Sequence, residues 1–129
     1  MKSIIEFQGK SKFKVKMREF SLLVDLPEAM GGDNTGPTPA ELFVTSLGSC
    51  MGVFAVRYLN TAGLSAEGLT ITLDSEMSED HSRIKKIMAF VMAPKAVLGA
   101  RKKALQIACE KCIVHNTLLN PPEITIEIG

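Results

Sequence analysis

The chain has 129 residues, 46% of them hydrophobic, and this length fits a single domain over residues 1–129 or one protomer of an oligomer. Its 15 basic and 14 acidic side chains leave a formal net charge of +1, so the composition gives no reason to infer binding to nucleic acid or to a membrane. The longest uninterrupted apolar runs are only a few residues, which on this criterion excludes a membrane-spanning helix. Residues 1–6 show no export signal, and we therefore expect a cytoplasmic protein.

The first part of the chain predicts three strands joined by turns, over residues 2–8, 12–17 and 20–24. In the second of them Phe13, Val15 and Met17 alternate with lysines, which is typical of a half-buried antiparallel strand. A glycine-rich loop over residues 31–37 follows. It matches neither the dinucleotide-binding nor the P-loop pattern, and we interpret it as structural.

The segment after this loop predicts a long helix over residues 39–61. Thr38 suits the N-cap, Pro39 suits the first helical position, and Glu41 can complete a capping box. At 1.5 Å per residue such a helix is about 35 Å long, close to the diameter of a domain of this size.

Apolar side chains recur at helical spacing along this helix, which predicts that much of its circumference is buried. Gly48 and Gly52 lie one turn apart on it, a spacing that allows another backbone to approach closely. The main apolar stripe consists of Phe43, Leu47, Cys50, Phe54 and Tyr58.

The second half of the chain predicts two further strands, two helices and a closing strand. The segments are residues 69–77 and 84–92 (strands), 95–111 and 112–119 (helices) and 123–128 (strand). The resulting order, βββ-α-ββ-αα-β, favours an α+β fold with antiparallel sheets over a doubly wound parallel sheet.

Three cysteines, an odd number, do not make the disulfide framework of a secreted protein. Cys50 on the apolar stripe is compatible with an ordinary buried thiol. Cys109 and Cys112 form a Cys-x-x-Cys motif, which allows a redox pair or a zinc site. In the zinc interpretation His115 would be the third ligand, and either Cys50 or His81 would be the fourth. The residues alone leave these alternatives open.

Two motifs resemble the signatures of the OsmC/Ohr family, whose members are thiol-dependent peroxidases of organic hydroperoxides. The first runs from Gly31 to Phe43 and on through Ser46-Leu47-Gly48-Ser49-Cys50. The second is Cys112-Ile113-Val114-His115-Asn116-Thr117-Leu118. With the order of strands and helices, the resemblance covers nearly the whole chain.

The resemblance implies an OsmC-like intertwined homodimer, with the long helices at the centre and the sheets around them. It also implies that Cys50 is the peroxidatic thiol and Cys112 the resolving thiol, reset by an external dithiol of the lipoyl type, with no metal or other cofactor. The expected role is in the oxidative or osmotic stress response. The candidate walls of the substrate pocket are Phe43, Leu47 and Phe54.

Two positions depart from the pattern of the family's peroxidases. Lys10 and Lys12 stand after the first strand, where those enzymes place an arginine beside the reactive thiol. Their glutamate lies ten residues before the reactive cysteine, a position occupied here by Ala40, with Glu41 next to it. Glu41 and Arg83 are therefore the candidate partners of the thiolate. These departures also leave an alternative function, a non-catalytic small-molecule-binding or zinc-binding protein of the same fold.

Overall fold

The computed structural model describes residues 1–129, which divide into two compact units, Met1–Phe43 and Val44–Gly129. The fold is α+β with antiparallel sheets, as predicted, while the single domain stays a prediction. The elements are β1 (Ser3–Gly9), β2 (Lys12–Met17), β3 (Phe20–Val24), α1 (Pro39–Thr61), β4 (Thr70–Met77), β5 (Ile84–Met92), α2 (Lys102–Glu110) and α3 (Ile113–Leu119).

The first unit is built on an antiparallel sheet of three strands in the order β1-β2-β3. Ile5 pairs with Val15, and Val15 pairs with Leu22, so the apolar side chains of all three strands share one face. Much of this face is open to solvent in the single chain, with Phe7 64% and Phe20 55% exposed.

The loop over residues 31–37 is held by the carboxylate of Asp25, which is only 1% exposed. The carboxylate accepts five hydrogen bonds. The donors are the Thr35 hydroxyl (2.7 Å), the backbone N–H groups of Leu26 (2.8 Å), Thr35 (3.1 Å) and Asp33 (3.2 Å), and the Ser11 hydroxyl (3.1 Å). The Thr35 hydroxyl and the backbone N–H groups of Leu26, Thr35 and Asp33 hold the pKa of Asp25 well below its usual range despite its desolvation. The loop is therefore organised around a buried anion, which agrees with its structural interpretation.

The predicted capping box at the start of α1 is present. The Glu41 backbone N–H donates to the Thr38 hydroxyl at 3.1 Å, and the Glu41 carboxylate accepts from the Thr38 backbone N–H at 2.7 Å. Both N–H groups would otherwise lack partners at a helix N-terminus, so this local pattern fixes where the helix begins.

The second unit contains the rest of α1, the β4–β5 hairpin and the two short helices. Its buried cluster joins residues of α1 and α2 with one residue that follows β5: Ala55, Leu59, Ala93, Leu105 and Cys109. Gly48 and Gly52 face β4. The sequence had suggested that a second backbone approaches them, but the groups nearest to them are side chains of β4. A Cβ on Gly48 would lie 2.1 Å from Cδ1 of Leu73, and one on Gly52 would lie 3.5 Å from Cδ1 of Ile71.

This difference predicts unequal effects for two alanine substitutions on the same helix face. Gly52→Ala should stabilise the protein by about 0.5–1 kcal/mol, because alanine is the better helix former and its methyl group meets Ile71 at ordinary contact distance. Gly48→Ala should be less stable than Gly52→Ala by about 1–3 kcal/mol, because Leu73 must leave its position. Urea unfolding of both variants measures the difference, and equal stabilities would contradict it.

Two predicted elements differ from the structure. The helix expected over residues 95–111 forms only as α2, because Gly99 adopts a left-handed φ of +50° and a short 3-10 turn, Gly99–Arg101, precedes the helix. The closing strand expected over residues 123–128 is wrong for the single chain: the segment is exposed and has no strand partner. Alternation identifies which side chains share a face, but a strand also needs a hydrogen-bonded neighbour.

By length and composition alone, α1 could cross a membrane, with a mean hydropathy of 1.5 over its most apolar window. The criterion of uninterrupted apolar runs did not detect this, because small polar residues interrupt α1 without adding charge between Glu41 and Arg57. A single helix of this kind is weak evidence for a span, since the core helix of a water-soluble domain passes the same test.

Candidate active site

The second unit brings Cys50 and Cys112 together, although 61 residues separate them in the sequence. Cys50 lies in the middle of α1 and is half-buried, whereas Cys112 is fully buried at the N-cap of α3. Both are thiols in the structure, and the Cys112 thiol donates a hydrogen bond to the sulfur of Cys50. The two sulfur atoms are thus neighbours with different exposure to solvent.

The surroundings of Cys50 favour its thiolate. Burial opposes the charged form, but the backbone N–H of Val114, the Cys112 thiol, the backbone N–H of Ile113 and the charge of Arg57 together outweigh it. The pKa of Cys50 is therefore lowered from its ordinary value. Because the thiolate is the nucleophilic form of cysteine, Cys50 is the more reactive of the two thiols.

Cys112 is shifted in the opposite direction. Burial raises the pKa of Cys112, and the neighbouring Cys50 raises it further, although the backbone N–H of His115 donates to its sulfur at 3.2 Å. Of the two thiols, Cys50 is therefore the one that ionises first, and Cys112 is the one that keeps its proton longer. This is the division of roles that a nucleophilic thiol and a proton-bearing partner require.

Arg57 is a partner of the thiolate that the sequence analysis missed. It lies seven residues after Cys50 on α1, so the two side chains project from the same side of the helix. Phe54, between them on this face, lies under the guanidinium, with the Arg57 Cζ 5.2 Å from the ring centroid. The spacing Cys50, Phe54, Arg57 was visible in the sequence as i, i+4, i+7 along a predicted helix.

We expect Arg57→Met to lower the reactivity of Cys50 at neutral pH, because removing the positive charge raises the pKa of the thiol toward its ordinary value. Since Arg57 is exposed, the effect should be modest, up to about fivefold. The rate of alkylation by iodoacetamide as a function of pH measures it, and the two proteins should converge at high pH.

Arg83→Met is the matched control for this measurement, because it removes one positive charge at the arginine that the sequence analysis named as a candidate partner of the thiolate. Arg83 is exposed in the turn between β4 and β5. Its backbone N–H donates to the Ser78 hydroxyl, and its carbonyl accepts from the Ser78 N–H. We expect its removal to leave the alkylation profile unchanged. An effect of Arg83→Met without an effect of Arg57→Met would show that the assignment is wrong.

The other candidate residues are placed as follows. The Glu41 carboxylate is engaged in the capping box of α1 and belongs to the first unit, as does Phe43. Leu47 is buried one turn before Cys50, and Phe54 is half-buried one turn after it, so both are neighbours of the thiol on the helix surface.

The side chains proposed for zinc do not assemble into a metal site. No group of three or more His, Cys, Asp or Glu side chains lies close enough together to hold a metal ion. His81 lies in the exposed turn between β4 and β5, and Cys109 lies in the last turn of α2 within the buried cluster. The zinc ligand set considered from the sequence is therefore not assembled within the single chain.

Comparison with known proteins supplies a family and a set of structural neighbours. The family model described as OsmC-like protein matches residues 32–127. The comparison with curated proteins gives no match.

Three solved structures illustrate the similarity of fold. A Psychrobacter arcticus protein named for osmotic stress induction and a detoxification response superposes with a TM-score of 0.81 at 19% identity, covering 89% of this chain and 85% of that one. An OsmC-like protein from Mycoplasma pneumoniae gives 0.76 at 15% identity, covering 93% and 87%. A Legionella pneumophila protein named for organic hydroperoxide resistance gives 0.67 at 16% identity, covering 92% and 89%. The family match over most of the sequence, together with the fold, shows that the chain belongs to the OsmC-like family.

Proposed function

We propose that this protein is a thiol peroxidase that reduces organic hydroperoxides. The observation that carries the proposal is the pair formed by Cys50 and Cys112, in which the half-buried thiol has a lowered pKa and its buried neighbour a raised one. The printed name of the Legionella protein, an organic hydroperoxide resistance protein of the same fold, points to the same chemistry.

The reaction proceeds in three balanced steps. The Cys50 thiolate attacks the terminal peroxide oxygen, the O–O bond breaks, and after protonation the alcohol leaves while the sulfur becomes a sulfenic acid. The Cys112 thiol then attacks this sulfur, releasing water and forming a Cys50–Cys112 disulfide. An external dithiol of the lipoyl type reduces the disulfide and is itself oxidised. Leu47 and Phe54 give the thiol apolar neighbours on α1, which suits a hydrophobic peroxide.

The working protein is proposed to be a homodimer, and the exposed apolar surfaces support this. The sheet of the first unit leaves apolar side chains of β1 to β3 open, and β5 exposes Met88 and Phe90 on one face. In the segment after α3, Ile124, Ile126 and Ile128 are 79%, 80% and 91% exposed. Apolar area of this extent marks protein–protein interfaces, and a second copy would give the alternating C-terminal segment a strand to pair with.

The proposed location is the cytoplasm, where thiols are kept reduced between turnovers. A role in the oxidative or osmotic stress response follows from the same chemistry, because removal of hydroperoxides protects other thiols from oxidation.

Disulfide mapping by mass spectrometry tests the chemistry directly. When the reduced protein receives one equivalent of cumene hydroperoxide, we expect the first disulfide to join Cys50 to Cys112 as one equivalent of alcohol appears. In Cys112→Ser the sulfenic acid should persist on Cys50 and react with dimedone. Hydroperoxide that remains intact, as a protein that only binds small molecules would leave it, contradicts the proposal; so does a dimedone adduct on Cys109 instead of Cys50.

A further inference from the structure

The third thiol, Cys109, lies beside the proposed redox pair and is not used by the peroxidase steps. It is 5% exposed and lies in the last turn of α2. The backbone N–H of Cys112 donates to the carbonyl of Cys109 at 3.3 Å, which closes a four-residue turn. Such a turn holds the first and last Cα atoms within about 7 Å of each other, and disulfides bridge Cα separations of about 4.4–6.8 Å. Cys109 and Cys112 are thus held in a range in which a disulfide can form.

Cys112 neighbours both other cysteines. Its thiol forms a hydrogen bond with Cys50, which links α3 to α1. Across the turn, the charge of ionised Cys112 raises the pKa of Cys109. A disulfide between Cys50 and Cys112 would therefore place its Cys112 sulfur within reach of a third thiol, which is the arrangement that thiol–disulfide exchange needs.

Cys109 also opens onto a cavity of about 680 Å³ in the second unit. Apolar side chains of β5 and α2 form its walls, and the α2 side also contributes Lys102, Gln106 and Glu110. The lining also includes Met51 and His115, which lie next to the two cysteines of the proposed redox pair. Met51 follows Cys50 in the sequence, and the backbone N–H of His115 donates to the Cys112 sulfur. The apolar part of the lining includes Ile87, Val91, Leu98 and Leu105. Cys112 is fully buried and does not line this cavity, so Cys109 is the cysteine that the cavity exposes.

Resting on the proposed peroxidase function, we propose that Cys109 is a relay thiol, which takes over the disulfide from Cys50 and presents it to the reductant in this cavity. The Cys109 thiolate attacks the sulfur of Cys112, a Cys109–Cys112 bond forms, the Cys50–Cys112 bond breaks, and Cys50 leaves as a thiolate. The proton lost by Cys109 goes to solvent. One disulfide and one thiol are present before and after, so the step needs no oxidant.

The direction of this exchange follows from the leaving group. Attack on Cys112 expels Cys50, whose thiolate is still stabilised by the backbone N–H groups of Val114 and Ile113 and by the charge of Arg57. Attack on Cys50 would instead expel Cys112, whose pKa is raised chiefly by its burial. The thiol with the lower pKa is the better leaving group, which favours transfer to Cys109 and the return of Cys50 to its reactive form. Burial raises the pKa of Cys109, so the exchange should be slower than the peroxide step.

The stoichiometry of hydroperoxide consumption in the absence of reductant tests the relay. In the wild-type protein the first equivalent leads to the Cys109–Cys112 disulfide, and the regenerated Cys50 consumes a second equivalent and ends as a sulfenic acid. Cys109→Ala should stop after one equivalent with Cys50 joined to Cys112. Cys109→Val replaces the thiol with a somewhat larger apolar side chain, which leaves no cavity in the buried cluster, and it should behave in the same way. Mass mapping at successive times should show Cys50–Cys112 rising first and Cys109–Cys112 replacing it.

Wild-type protein that stops at one equivalent, with Cys50–Cys112 as its final disulfide, would overturn the relay but not the peroxidase. Hydroperoxide left unconsumed by wild type and both Cys109 variants would overturn the peroxidase, and the relay with it. A second experiment needs no peroxide. In the Cys50→Ser variant, the oxidant diamide should form a disulfide between Cys109 and Cys112. If both thiols stay free there while the variant keeps its circular dichroism spectrum, the pair cannot form and the relay is wrong.

Discussion

Cys50→Ser is expected to reduce hydroperoxide turnover by a factor of about 10⁴ or more, which is the scale of loss when a covalent nucleophile is removed. The serine hydroxyl stays protonated in the site that lowers the pKa of the thiol, and it cannot take the peroxide oxygen as a sulfenic acid. The measurement is consumption of cumene hydroperoxide in the presence of dithiothreitol, compared with wild type at equal protein concentration.

A matched control moves the thiol without removing it. The double variant Ser49→Cys with Cys50→Ser retains three cysteines, but the new thiol is turned about 100° around α1 from the original one. It should be as inactive as Cys50→Ser, because the N–H groups of Ile113 and Val114 act on the original position. Activity in the double variant, or turnover by Cys50→Ser within tenfold of wild type, would show that the position of Cys50 is not what matters.

Leu59→Ala is expected to destabilise the protein by about 2–5 kcal/mol, the usual range for removing a fully buried leucine. Leu59 has no exposed surface and packs in the cluster that includes Leu105 and Cys109, so its loss leaves a cavity between α1 and α2. Since small domains are stable by only about 5–15 kcal/mol, this is a large fraction of the total. Equilibrium unfolding in urea measures it.

Val97→Ala provides the comparison, because Val97 is 88% exposed in the segment before α2 and its truncation should change stability by about 0.5 kcal/mol or less. The contrast also bears on the relay, since the Leu59 cluster supports the last turn of α2 that carries Cys109. Equal losses in Leu59→Ala and Val97→Ala would mean that this cluster is not the core of the second unit.

The helix α1 could be predicted from sequence almost residue for residue, because its signals are local. Thr38 and Glu41 satisfy each other three residues apart, and the apolar repeat continues from them without a breaker. The helix over residues 95–111 was predicted too long, because the conformation of Gly99 depends on a turn that periodicity does not report. The segment over residues 123–128 shows the other limit: its pattern is that of a strand, but no strand of the single chain pairs with it.

The candidate site likewise has features that the sequence could predict and features that it could not. No local pattern can place Cys50 beside Cys112, because the contact depends on how α3 meets α1, and the pairing was expected only from the family resemblance. Arg57 was detectable from helical spacing but was passed over in favour of a cation after the first strand or at Arg83. Asp25 gave no signal, since its hydrogen-bond donors come from separate stretches of the first unit.

The five hydrogen bonds to Asp25 determine which side chains can replace it and the pH range in which it stabilises the fold. Both carboxylate oxygens accept only, so an amide in either orientation would set its NH₂ group against another donor, and asparagine is no conservative replacement here. Because the pKa of Asp25 is depressed in the fold, its contribution to stability is complete above about pH 4, the ordinary range of an unfolded aspartate, and is lost as the pH falls toward the folded value. The loop before α1 is thereby made sensitive to strong acid, while protonation of Asp25 plays no part near neutral pH.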